Sequence, residues 1–152
     1  MSAITTIRVG HEDFCVSEEL KKLNAQADCG AVVSFLGVVR QANEGEAVYA
    51  MELEHYPAMT EKALAGIVER ARARWQLGDI TVIHRVGRLL PGDQIVLVLV
   101  ASAHRGEAFQ ACEFIMDWLK TEAPFWKKEE TPEGPRWVDA RESDDEAKRR
   151  WE

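Results

Sequence analysis

Each helix-like pattern in this chain is followed by two strand-like segments, and this order restricts the folds that the sequence can adopt. Residues 60–75 place apolar side chains at spacings of three and four, as one face of an amphipathic helix does, and residues 106–120 repeat the pattern. Strands that follow one another without a helix between them usually pair as antiparallel neighbours. The sequence therefore predicts an α+β fold, with a mostly antiparallel sheet, packed helices and a small additional hairpin, rather than a doubly wound parallel sheet.

The bounds of the predicted elements follow from local breaks in the pattern. Pro91-Gly92-Asp93 is a tight-turn signal, which predicts that the strands on either side of it form an antiparallel hairpin. Residues 31–40, AVVSFLGVVR, are nearly continuous in apolar character, which predicts a strand buried on both faces. A polar loop is predicted over 41–46. The predicted strands are 3–9, 31–40, 47–56, 79–89 and 93–103 with a hairpin over 126–138, and the predicted helices are 17–25, 60–75, 106–120 and a short terminal helix from about 143 to 152.

Composition narrows the class of protein. A chain of 152 residues with 46% hydrophobic and 30% charged residues predicts one globular domain over 1–152. The formal net charge of −7 argues against a nucleic-acid or membrane-surface binder, although a local cluster of cations for a small anion stays open. The N-terminus lacks a signal-peptide pattern, and no apolar stretch approaches the ~20 residues of a membrane span. We therefore expect a cytoplasmic protein.

Motifs for metal, nucleotide or serine-hydrolase chemistry are missing from the sequence. The cysteines, Cys15, Cys29 and Cys112, form no CxxC, and the histidines form no HxH or HExxH. His84 and His55 are therefore more simply structural than metal ligands. GxSxG, GxGxxG and GxxxxGK[ST] do not occur. We expect no metal and no nucleotide cofactor for this chain.

Cationic residues lie where predicted elements begin and end. His104 and Arg105 fall at the start of a predicted helix, where unpaired N–H groups and the helix dipole favour an anion such as phosphate or carboxylate. The alternative is a solvated loop in which Arg105 only neutralises Glu107. Arg40 ends the apolar segment 31–40, where a site could be built, although the simpler explanation is that the strand has reached solvent.

The stretch LKTEAPFWKKE, residues 119–129, places lysines beside an apolar group. Lys120 ends a predicted helix that Pro124 cannot continue, and a cation there also suits the helix dipole. Lys127 directly follows Phe125-Trp126, and an amine beside water-poor aromatic walls is a better base or nucleophile. Successive side chains of a strand point to opposite faces, so at most one of Lys127 and Lys128 can face a pocket.

Five blocks of sequence, in order, resemble the large, catalytic subunit of molybdopterin synthase. They are GAVVSFLGVVR (30–40), LEHYPAMTEKAL (53–64), HRVGRLLPGD (84–93), SAHRGEAF (102–109) and DWLKTEAPFWKKE (117–129). The resemblance implies an α/β hammerhead fold and an enzyme that converts cyclic pyranopterin monophosphate into molybdopterin by installing two sulfurs as a dithiolene. It also implies that sulfur arrives as a thiocarboxylate on the C-terminal Gly-Gly tail of a small ubiquitin-like subunit, with a homodimer of the large subunit at the core of a heterotetramer.

The same resemblance implies roles for individual residues. Lys120 and Lys127 are expected to be catalytic and to line the pocket that the partner's tail enters. Phe125 and Trp126 are then expected to wall the pocket between these lysines, and Lys128 to face away from it. Arg141 matches a basic position that reaches the site of the neighbouring subunit. The implied substrate-binding set is Val38, Val39, Arg40, His104, Arg105, Lys120, Lys127, Lys128, Glu129 and Arg141. The alternatives are a non-catalytic module that binds phosphate or carboxylate, and a structural scaffold whose cations are simply solvated.

Overall fold

Two four-stranded sheets and four helices form the part of the chain that the computed structural model describes, residues 3–23, 28–43, 46–47, 49–138 and 142–152. The helices are α1 (Val16–Lys22), α2 (Pro57–Arg74), α3 (Arg105–Glu122) and α4 (Glu142–Arg149). The strands are β1 (Thr5–Gly10), β2 (Ala31–Val38), β3 (Ala42–Asn43), β4 (Glu46–Ala47), β5 (Ala50–His55), β6 (Ile80–Arg85), β7 (Gly87–Leu89), β8 (Gln94–Ser102), β9 (Phe125–Thr131) and β10 (Gly134–Val138). The predicted α+β class is confirmed.

The first sheet has the strand order β1-β6-β8-β2. β8 pairs antiparallel with both β6 and β2, whereas β1 pairs parallel with β6. The antiparallel pairing predicted around the Pro91-Gly92-Asp93 turn is confirmed, because Ile80 lies opposite Val100 and His84 opposite Val96.

Helices α2 and α3 pack on one face of the first sheet. The core between them contains Leu64, Ile67 and Val68 of α2, Val96, Val98 and Val100 of β8, and Phe114, Ile115 and Leu119 of α3. Burying a side chain the size of Phe114, which is 2% exposed, contributes roughly 1.5–3 kcal/mol. The opposite face of the sheet carries a smaller cluster of Ile83, Leu97 and Leu99. Within the described residues, no helix combines the length and apolar character that crossing a membrane requires.

The second sheet has the order β10-β9-β5-β7, and all its pairings are antiparallel. The predicted hairpin over 126–138 is formed by β9 and β10, and it joins this sheet because β9 also pairs with β5. Phe125, the first residue of β9, lies opposite His55, the last residue of β5. The sheet therefore brings the segment after α3 next to the end of β5.

The prediction that residues 31–40 form a strand buried on both faces is wrong. β2 lies at the edge of the first sheet, and Val32, Leu36 and Val38, which share one face of it, are 42%, 41% and 47% exposed. An apolar run indicates that a strand avoids water, but it does not say whether the chain itself covers the strand. The exposed row is an apolar surface that this chain leaves uncovered.

Two predicted segments are divided differently in the structure. Residues 79–89 form two strands, because the backbone turns at Gly87, whose φ is +88°, and β7 leaves the first sheet to pair with β5. The positive φ favours glycine, and a Cβ at Gly87 would lie 2.5 Å from Nδ1 of His11, so the exposed His11 side chain would have to move. The polar loop predicted over 41–46 contains the short β3–β4 ribbon, which pairs Ala42 with Ala47.

Candidate active site

The connection between α3 and β9 sets the positions of the lysines. α3 ends at Glu122, Ala123 is its extended C-cap, and Phe125 donates its N–H to the carbonyl of Ala123 at 2.8 Å. Pro124 has no N–H to continue the helix. Lys120 is an exposed residue in the last turn of α3, as predicted, and the strand that carries Lys127 begins at once.

The alternation of β9 separates Lys127 from Lys128. Lys127 lies on the face that carries Phe125 and Glu129, and its Nζ is 3.7 Å from Oε2 of Glu129. Lys128 lies on the other face, where its Nζ is 5.7 Å from the centre of the Trp137 ring. The structure thus places Lys127 and Lys128 on opposite faces, and it is Lys127 that shares a face with Phe125.

Trp126 shares the outer face of the sheet with Lys128. It is 43% exposed, and its ring meets the ring of Tyr56 edge-on, with the two centroids 4.8 Å apart. The expectation that Phe125 and Trp126 together wall a pocket is therefore wrong for Trp126, because adjacent residues of a strand cannot face the same side. Phe125 lies on the same face of β9 as Lys127 and follows Lys120 by five residues.

Glu129 is held by cations of its own chain. The residue is 2% exposed, Arg136 lies 3.3 Å from its Oε1 and Lys127 lies 3.7 Å from its Oε2. A buried carboxylate requires such partners because removing its charge from water costs several kcal/mol. These contacts fix the position of Lys127, and they occupy the carboxylate of Glu129, so this carboxylate is not open to a ligand.

Two histidines flank Phe125, and the sequence predicts a structural role for both. His84 stacks on Phe125 with the ring centroids 4.0 Å apart and the planes inclined by 20°, and His55 lies 6.2 Å away on the same ring. Burial, together with the charges of Lys120 and His55, lowers the pKa of His84 to about 4, although the hydrogen bond to the carbonyl of Arg85 acts in the opposite direction. Burial also lowers the pKa of His55, whose Nδ1 is 3.2 Å from Oγ1 of Thr60.

Val38, Val39 and Arg40 lie at the same end of the first sheet as His84. Val39 is buried and exchanges backbone hydrogen bonds with the turn before β8, donating to Asp93 at 2.9 Å and accepting from Gly92 at 2.9 Å. Val38 and Arg40 are exposed. β2 and β6 are both neighbours of β8, so Arg40, which follows β2, lies at the same end of the sheet as His84. Lys120 is also near this end, because its charge helps to lower the pKa of His84.

His104 and Arg105 lie at the opposite end of α3. His104 is the N-cap of the helix, without a side-chain capping bond, and Arg105 is its first residue, so the predicted helix start is confirmed. Arg105 and Lys120 are fifteen residues apart in one helix, which separates them by about 22 Å at the ordinary rise per residue. Within one chain these cations do not meet.

A cavity of about 360 Å³ opens beside His104, between the end of β8 and the start of α3. Ser102 in its wall donates to Oε2 of Glu107 at 3.3 Å. Carboxylates in this wall, Glu107 and Asp79 among them, make it less suited to an anion than the sequence pattern alone predicted.

Arg141, the remaining residue of the implied site, lies outside the described residues. The described residues contain no group of three or more His, Cys, Asp and Glu side chains placed to hold a metal ion.

Comparisons with known proteins agree on one family. The family model described as MoaE protein matches residues 9–122. The molybdopterin synthase catalytic subunit of Ralstonia nicotianae is 63% identical over 147 residues, which are 96% of this chain and 84% of that protein. The subunit of the same name from Escherichia coli is 61% identical over 149 residues, which are 98% of this chain and 99% of that protein.

Solved structures give the same result. The molybdopterin biosynthesis MoaE protein from Burkholderia ambifaria has a TM-score of 0.83 and 55% identity, and the match covers 97% of this chain and 98% of that chain. Molybdopterin synthase from Staphylococcus aureus has a TM-score of 0.80 and 32% identity, with coverage of 87% and 96%. The likeness therefore extends over nearly the whole chain in both sequence and fold.

Proposed function

This chain belongs to the MoaE family of molybdopterin synthase catalytic subunits, and on that basis we propose that it converts cyclic pyranopterin monophosphate into molybdopterin. Family membership gives it an enzymatic role in molybdenum cofactor biosynthesis. The sulfur donor in this proposal is the C-terminal thiocarboxylate of a small ubiquitin-like partner subunit. The words "catalytic subunit" in the names of the relatives support a second kind of subunit. The cytoplasmic location stays a prediction from the sequence.

The observation that carries the proposal is that Phe125 shares a face of β9 with Lys127 and stacks on His84, whose pKa the nearby charge of Lys120 helps to lower. In each transfer, the thiocarboxylate sulfur forms a bond to a carbon of the precursor, a C–O bond of that carbon breaks, and the displaced oxygen leaves carrying a proton. Water then cleaves the acyl–sulfur bond, so that the sulfur stays on the pterin and the tail ends as a carboxylate. Lys120 is the acid and base that supplies and removes the protons, or the transient covalent group, and Lys127 stabilises negative charge on the tail and the substrate.

In this proposal Arg40, His104 and Arg105 bind and orient the phosphate. Because Arg105 and Lys120 lie at opposite ends of α3, a second chain is needed to bring them together. A homodimer formed through β2 supplies this second chain, because two edge strands that pair antiparallel across a two-fold axis run in opposite directions. The end of β2 beside Arg40 then meets the other end of β2, beside Gly30, in the second copy. Gly30 donates its N–H to the carbonyl oxygen of Ser102 at 3.0 Å, and Ser102 precedes His104 by two residues. The exposed apolar row on β2 supports this interface.

The first experiment is a direct assay. The chain is mixed with a thiocarboxylated small partner and the pterin precursor, and the dithiolene product is measured. We expect product from the natural chain and none from Lys120→Ala, with folding and partner binding intact. Binding of the precursor by the natural chain without product would favour the non-catalytic binding module, and near-normal turnover by Lys120→Ala would contradict the role of Lys120.

The second experiment tests the shared site. Lys120→Ala and Arg105→Ala chains are mixed under conditions that exchange subunits, and each mixed dimer then has one intact site and one site with both defects. Random exchange returns about a quarter of the normal sites. The matched control mixes Lys120→Ala with Lys127→Ala, whose defects lie in the same half, so no intact site forms. A first mixture no more active than its components contradicts the two-chain site.

A further inference from the structure

His84 is a buried titratable residue that the proposed mechanism does not use. It is 5% exposed and lies on the face of β6 that packs against α2 and α3. Its Nδ1 is 2.8 Å from the carbonyl oxygen of Arg85, and because a carbonyl only accepts, Nδ1 carries the hydrogen. With the pKa near 4, the ring is neutral at physiological pH. The imidazole of His84 is thus a flat, uncharged ring with one fixed tautomer.

Phe125 connects this ring to both lysines. It stacks on His84 at 4.0 Å, its N–H is held by Ala123, and it is the first residue of β9. Lys120 precedes it by five residues at the end of α3, and Lys127 follows it by two on the same face of β9. The position of the Phe125 ring therefore fixes the end of α3 relative to the start of β9.

We propose that His84 is a positioning residue for the reaction: its imidazole fixes the ring of Phe125 and thereby the relative positions of Lys120 and Lys127. This role rests on the function proposed for the two lysines. His84 does not touch the substrate in this proposal and transfers no proton.

Two physical reasons give the position of His84 its importance. A catalytic group that moves by about 1 Å can lose on the order of a hundredfold in rate, so the surface that supports the lysines must be rigid. The supporting ring must also stay uncharged, and it does, because burial and the charges of Lys120 and His55 oppose a proton on it more strongly than the hydrogen bond to the carbonyl of Arg85 favours one. A neutral aromatic ring satisfies both requirements.

The test uses His84→Ala, which removes the ring, and His84→Phe, which keeps a neutral ring for Phe125 to stack on. We expect His84→Ala to lower kcat by about tenfold or more, with little change in the KM for the pterin precursor, because the groups proposed to hold the phosphate, Arg40, His104 and Arg105, stay in place while the lysines lose alignment. We expect His84→Phe to keep most of the activity. Phe125→Leu should reproduce His84→Ala, and combining the two changes should lower kcat no further than either alone.

The matched control is Val82→Ala, two residues before His84 on the same face of β6, where Val82 is 0% exposed. It weakens the same core without touching Phe125, so kcat should stay normal at temperatures where the variant is folded. If His84→Ala does not fold, His84→Leu fills the space without a flat ring and gives the same comparison.

The outcomes separate this inference from the function on which it rests. If the natural chain makes no dithiolene, the proposed function fails, whatever the variants do. If the natural chain is active and His84→Ala keeps normal kcat, only the positioning role is overturned. An equal loss of kcat in Val82→Ala and His84→Ala would also overturn it, because the effect would then be general loosening of the core.

Discussion

Lowering the pH should destabilise this protein through His84 before its carboxylates are protonated. The ordinary pKa of histidine is 6.5, and in the folded chain that of His84 is about 4. Between these two values the unfolded chain binds a proton that the folded chain does not, so the free energy of unfolding falls as the pH falls. The stabilising contribution is complete above about pH 6.5 and is lost progressively towards pH 4.

The size of the effect follows from the same two pKa values. The whole difference corresponds to about 3 kcal/mol, and the part lost between pH 7 and pH 5 is about 2 kcal/mol. That is a large share of the stability of an ordinary domain. His55, Asp13 and Glu19 also have lowered pKa values and act in the same sense, so the contribution of His84 must be isolated by comparison.

The measurement is urea unfolding of the natural chain and of His84→Phe at several pH values from 7.5 to 5, at one protein concentration. The variant keeps the other titrating groups, so the difference between the two free energies of unfolding reports His84 alone. We expect that difference to change by about 2 kcal/mol between pH 7 and pH 5, in favour of the variant at low pH. A difference that stays constant over this range would refute the assignment of His84 as a buried neutral ring.

Three further changes should alter stability, each measured by urea unfolding at pH 7. Glu129→Gln should cost about 1–3 kcal/mol by removing the buried partner of two cations, and an unchanged stability would show that the ion pairs contribute nothing. Trp151→Ala should cost about 2–4 kcal/mol, because it removes ring packing and the Nε1–H bond to Asp117 at 2.7 Å. Gly87→Ala should cost about 1–3 kcal/mol through its φ of +88° and the contact with His11, whereas Gly66→Ala in α2 should be neutral or stabilising.

Local signals in the sequence were sufficient to predict α3 and β9, the elements that carry the lysines. The apolar spacing of α3, the anion-suited start at His104 and the break at Pro124 are each readable within a few residues, and the structure confirms the helix at Arg105–Glu122. The alternation of β9 likewise identified Lys127 and Lys128 as opposite in direction. These inferences needed no knowledge of distant neighbours.

Long-range contacts account for what the sequence did not provide. The local sequence does not explain His84, because its partner Phe125 is 41 residues away, although alternation with Ile80 and Val82 indicates that it points into the core. The apolar character of β2 predicts burial within the chain, since a pattern cannot distinguish a core from a surface that another chain covers. The separation of Arg105 from Lys120 follows from the length of α3, and the bounds of the helix in the structure define it.

The length of α3 has a consequence for the fate of unstable intermediates. In the proposed dimer, a newly made chain carries two half-sites, one at each end of the helix, and completes a site only when a second copy arrives. In the proposed dimer an unassembled chain cannot consume thiocarboxylate, and it cannot begin a transfer that it is unable to finish. Assembly and chemical competence then arise in a single event, so a pterin with only one sulfur is made only where the second transfer can follow.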